Sequence, residues 1–83
     1  MTENIELIKK WLANPASVTQ KELDDNLTAA TKQYYADAAN ATYAAATYAA
    51  TYAAKAVDYN VASAAHFAKY WVERYKESKE QGE

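Results

Sequence analysis

The sequence predicts an all-α protein, and three observations carry that reading. Alanine dominates the composition, with Glu, Lys, Leu and Gln in support, all of them strong helix formers. One glycine and one proline in 83 residues leave few places for loops. Apolar residues near the start recur at three- and four-residue steps, the period of an amphipathic helix. A chain of this length makes one small domain, 1–83, near the size where a single core is only marginally adequate.

The first element is a short amphipathic helix over about residues 3–13. Ile5, Leu7, Ile8, Trp11 and Leu12 form its apolar stripe, and Thr2 or Asn4 can cap its start. "NPAS" follows. The residue before a proline is pushed out of the helical region, so the helix ends at Asn14. The next start is "TQKE", a capping box in which the Thr19 hydroxyl takes a free amide and Glu22 reaches back. Val18 and Leu23 stand where a hydrophobic staple would place them.

After Thr19 there is no proline and no glycine until Gly82. One helix from 19 to about 77 would run roughly 85–90 Å at about 1.5 Å per residue, leaving a frayed tail over 78–83. The alternative is a helical hairpin turning at Asp37–Asn40 or Asp58–Asn60, because Asn and Asp accept turn conformations that other residues resist. Angular phase favours the continuous helix. At about 100° per residue, Leu23, Leu27, Tyr34, Tyr48, Tyr52, Tyr59, His66 and Tyr70 share one arc of roughly 60°. A polar arc that includes Thr47, Thr51, Lys55 and Lys69 lies beside it.

Within this helix, "TYAAATYAATYAA" at 42–54 places Tyr48 and Tyr52 on the stripe and Tyr43 nearly opposite. Alanine fills the rest, a smooth surface that admits close helix–helix approach. A helix apolar around most of its circumference must be covered on more than one side. The short first helix covers only one end, so the sequence predicts self-association into a helical bundle. The core or oligomer contacts are expected at Trp11, Leu23, Leu27, Val57, Val61, Phe67 and Trp71, with Trp71 meeting Trp11. Tyrosine combines large contact area with low entropic cost. The stripe residues Tyr34, Tyr48, Tyr52, Tyr59 and Tyr70 are therefore the candidate partner-binding residues.

Other chemistries find little support. There is no cysteine and one histidine, His66, so no metal motif with zinc-ligand spacing exists. No phosphate loop or nucleophilic triad is present, and the expectation is a non-enzyme without a cofactor. A formal net charge of −2 argues against a basic nucleic-acid footprint. "MTENIELIKKWL" lacks the pattern of a secretory leader, and no stretch is apolar enough to span a bilayer; a cytoplasmic location is expected. Ice binding is disfavoured because Thr42, Thr47 and Thr51 do not share one face. One alternative in another class is a sponge whose oligomer interfaces sequester a nucleotide signal, with Lys55, Lys69 or Arg74 converging across subunits on phosphate and tyrosine stacking the base. A purely structural self-assembling protein is another.

The order "IKKWLANPASVTQKELDDN", an Ala/Tyr-rich tract, then "AAHFAKYWVERYKE" resembles small alanine-rich accessory proteins of tailed bacteriophages. The resemblance covers nearly the whole chain, most specifically at "WLANPASVTQKEL" and "YWVERY". It assigns no site residue. It implies a small helical protein acting in the infected bacterial cytoplasm by binding a host protein, with inhibition of a host defence system as the role.

Overall fold

The computed structural model describes residues 2–81, which form four α-helices: α1 Thr2–Ala13, α2 Gln20–Ala36, α3 Ala41–Ala54 and α4 Val61–Glu80. Short 3-10 turns at Pro15–Ser17 and Lys55–Val57 lie in two of the connections. The all-α class is as the sequence predicts. The single long helix is not: the stretch from 19 to 77 is three helices, broken at both of the Asp/Asn positions named as alternatives. Helix α4 continues through 78–80 as regular helix. Of the expected frayed tail, Gly82 and Glu83 lie outside the described residues.

The local reasons for the breaks are visible. Asp37 leaves helical geometry at φ −145°, ψ 71°. Asn40 then caps α3, its Oδ1 accepting from the amides of Thr42 at 3.0 Å and Tyr43 at 3.1 Å. Asn60 does the same for α4, accepting from Ser63 N at 2.7 Å. Each cap satisfies amides that ending and restarting a helix would orphan. The expected capping box at Thr19–Glu22 forms in full, and Val18 and Leu23 are both buried.

The helices run up, down, up and down. Asn4 meets Asn26, Thr47 reaches Ala30, Thr42 meets Ser78, and Lys79 donates to Thr2, so each helix is antiparallel to the next in the chain and α4 to α1, while α1 and α3 run the same way. The longest dimension is 33 Å, far below the roughly 85–90 Å of a continuous helix. The radius of gyration, 11.7 Å, matches the roughly 12 Å of a compact domain this long.

Helix α3 is the core element. It carries no charged residue, and it packs on α1, α2 and α4. Ala45, Ala46, Ala49, Ala50, Ala53 and Ala54 are buried, as are Thr42 and Thr47. Ala30 on α2 and Ala68 on α4 are wholly buried too. Methyl side chains on facing helices permit close backbone approach, and the hydrogen bond from Thr47 Oγ1 to the Ala30 carbonyl, 3.2 Å, shows it. The cover that the alanine surface requires is therefore supplied within the chain. Burial of an alanine contributes little individually, and among the described residues the largest fully buried side chains are Ile5 and Ile8. The core is assembled from many small contacts plus the α1 residues Ile5, Ile8 and Trp11.

Buried polar groups are matched. Asn4 Nδ2 donates to Asn26 Oδ1 at 2.8 Å, and Asn26 Nδ2 returns to the Asn4 carbonyl at 3.3 Å. This pair fixes the register of α1 on α2. Gln20 Nε2 donates to the Ala54 carbonyl at 2.7 Å, closing the end of α3 from the start of α2.

Candidate functional site

The antiparallel pairing of α3 and α4 sets residues whose numbers sum to about 119 opposite one another. Tyr48 therefore faces Trp71, with ring centroids 4.7 Å apart, and Tyr52 faces Phe67 at 5.1 Å in a stacked arrangement. Tyr70 packs edge-on against Trp71 at 5.1 Å, and His66 against Phe67 at 5.5 Å. Beyond the end of α3, Tyr59 joins Tyr52 and Phe67 around a depression of about 240 Å³. A second depression of about 320 Å³ lies among Tyr52, His66, Phe67, Tyr70 and Trp71. Tyr52 and Phe67 border both, so six aromatic rings make one continuous face along the α3–α4 seam.

This face is open. Tyr59 is 64 % exposed, Tyr70 52 %, Phe67 47 % and Tyr48 44 %, while Tyr52 and Trp71 are half-buried. Among the described residues no hydrogen bond engages the hydroxyls of these four tyrosines. The Arg74 guanidinium sits 6.0 Å from the Tyr70 ring centre, which adds a cation at one end of the row. Mutual stacking, about 0.5–1.5 kcal/mol per pair, holds the rings in place with one side still facing out.

Of the five stripe residues the sequence singles out, Tyr48, Tyr52, Tyr59 and Tyr70 come together here. Tyr34 does not belong to the row: it is half-buried near the end of α2, beside Tyr35 at 5.9 Å. The expected core set divides. Trp11 and Leu23 are buried and Leu27 packs partly against the core. Trp71 also packs partly against the core while its ring joins the aromatic face with Phe67, and the rings beside it are Tyr48 and Tyr70, not Trp11. Val57 at 70 % and Val61 at 45 % exposed are not core residues. They flank the Asp58–Asn60 turn, which a continuous helix would not contain.

Sequence phase missed Phe67 and Trp71 as face residues, because on one wheel they fall away from the tyrosines. The usable signal was local. Tyr48 and Tyr52 are one turn apart, as are Phe67 and Trp71, and two such pairs on antiparallel helices meet ring to ring.

The nucleotide alternative calls for Lys55, Lys69 or Arg74 to converge across subunits, and one chain shows only where two of these cations stand. Arg74 reaches Tyr70, but Lys69 lines a different groove, between α1 and α4. Among the described residues no group of three or more His, Asp or Glu is placed to hold a metal ion, and no helix is long and apolar enough to cross a membrane. Comparison with protein-family models, curated proteins and solved structures finds no match to this chain.

Proposed function

We propose that the protein is a non-enzymatic interaction module whose α3–α4 aromatic face seats a partner protein. The observation that carries this reading is the contiguous row Tyr48, Tyr52, Tyr59, Phe67, Tyr70 and Trp71, four of them exposed and Tyr52 and Trp71 half-buried. A helical domain with a small core has every reason to bury such rings, and contiguous exposed apolar area of this kind marks binding surfaces. Tyrosine and tryptophan are also the side chains that dominate binding hot spots. Hydroxyls without internal partners add polar contacts at the rim.

On this reading the chain acts by occupancy, covering a surface of its partner. The resemblance to phage accessory proteins makes that partner a bacterial host protein in the cytoplasm, and blockade of a defence protein the role. Self-association is not needed to cover α3, so the active species is proposed to carry the face outward.

The test is capture from bacterial lysate followed by titration of the purified captured protein. Tyr59→Ala/Tyr70→Ala removes the two most exposed rings of the row with little loss of core. It should weaken binding at least tenfold with helicity unchanged. Tyr35→Ala, more exposed still but off the face, should bind as the parent does. Equal loss in both variants, or none in either, would remove the face from the account.

A further inference from the structure

A second surface lies on the other flank of α4, and it differs chemically from the aromatic row. Ala62, Lys69 and Lys76 recur every seven residues, two helical turns, so they line up along α4. Ala65 and Val72 share that side and face α1, where Leu12 and Lys9 stand opposite. The resulting groove encloses about 490 Å³ and follows α4 for fourteen residues, about 21 Å at 1.5 Å per residue. Its floor is apolar and includes small residues. Lys9, Lys69 and Lys76 rise along it against a single carboxylate, Glu73.

The charge placement is the informative feature. The chain as a whole carries −2, yet this groove is lined by three lysines and one acid, with Glu6 and Glu80 beside Lys9 and Lys76 beyond its end. Lys9 has an exposed partner in Glu6 at 3.5 Å, a pair worth little in water. Lys69 and Lys76 form no ion pair among the described residues. Both are long, exposed cations beside an apolar trough that their own chain leaves uncovered.

We infer that this α1–α4 groove docks an amphipathic helix of a partner, with aliphatic residues on its inner face and glutamate or aspartate along its edges. An acidic helix meets each requirement of the site. Its apolar stripe fills the floor over a matching length, the alanines Ala62 and Ala65 let its backbone come close, and its carboxylates reach the lysines on the rims. This is helix-in-groove recognition with electrostatic selection of the partner. The groove lies on the α1 side of α4 and shares His66 with the second aromatic depression, but none of the six rings of the row lines it, so its test reads different residues from the proposal made for that row.

The probe is a synthetic fifteen-residue helix with leucine and alanine on one face and glutamate on both flanks. A companion peptide replaces every glutamate with lysine. Each is titrated into the isotope-labelled full chain and followed by amide and methyl shifts. The glutamate peptide should bind saturably and shift Leu12, Ala62, Ala65 and Val72, with affinity falling as salt rises. The lysine peptide should bind at least tenfold more weakly. Lys69→Glu/Lys76→Glu should invert that preference, which a merely unfolded variant would not do.

Several outcomes would overturn the inference. One is equal binding of both peptides, or shifts confined to Tyr59, Phe67 and Tyr70. Another is groove shifts that depend on the concentration of the protein alone, which would make the occupant a second copy. A third is a response to phosphatidylglycerol vesicles with none to the glutamate peptide, which would assign the groove to a membrane surface.

Discussion

Ala49 shows how much one methyl group decides in this protein. It is wholly buried on α3, with Ala46, Ala50 and Ala53, and a larger side chain there must push neighbouring helices apart. Ala49→Leu should cost about 1–3 kcal/mol in urea denaturation, while Ala29→Leu on the exposed side of α2 should stay within about 0.5 kcal/mol. The Asn4–Asn26 pair sets a second test. Asn26→Ala strands the buried Asn4 amide and should cost about 1–3 kcal/mol. Replacing both by alanine should cost less than the sum of the single changes, read from a double-mutant cycle.

Glu22 gives a prediction in pH. Hydrogen bonds from the Thr19 amide and hydroxyl hold its carboxyl below the ordinary glutamate value. A carboxylate with a depressed folded pKa contributes stability at pH above its unfolded value, and that contribution is lost as pH falls through the folded one. Thr19→Ala should move the Glu22 titration upward in an NMR pH series and flatten that part of the acid limb. The capping box was readable from "TQKE" alone, because its partners are three residues apart. The role of Thr47 was not. It looks like a polar-face residue, yet it is buried, because a helical threonine can bond the carbonyl four residues back, here Tyr43 O at 2.9 Å, as well as Ala30.

For whole elements, the informative sites are the restarts at Asn40 and Asn60. Asn40→Ala and Asn60→Ala should each cost about 0.5–2 kcal/mol, measured by chemical denaturation. Both breaks sit at Asp/Asn pairs that the sequence marks as candidate turns, so their positions were legible. Their use was not, because local propensity compares turn with helix and omits what folding back gains. Helix α3 carries no charge over fourteen residues and is apolar around most of its circumference. Such a helix needs cover, and a three-helix return within one chain supplies it as well as a second molecule would. The shared angular phase of the tyrosines misled for a related reason. Phase is preserved only if no residue between leaves helical geometry, and Asp37 and Asp58–Asn60 interrupt it. The candidate site was legible as a list of tyrosines, but its real membership depends on the α3–α4 register, which no single-helix wheel contains.

At the scale of the whole molecule, the claim is that one chain wraps α3 and thereby builds the aromatic row from its own two helices. The chain should sediment as a monomer near 9.2 kDa at micromolar concentration. The most direct measurement is the set of nuclear Overhauser contacts between the rings of Tyr48 and Trp71 and between Tyr52 and Phe67. It should be recorded on uniformly labelled protein and on an equal mixture of labelled and unlabelled chains filtered for intermolecular contacts. The account predicts strong contacts for both pairs in the first sample and none through the filter. Contacts that survive the filter would place the rings across two molecules, and their absence from both samples would mean that α4 does not fold back on α3.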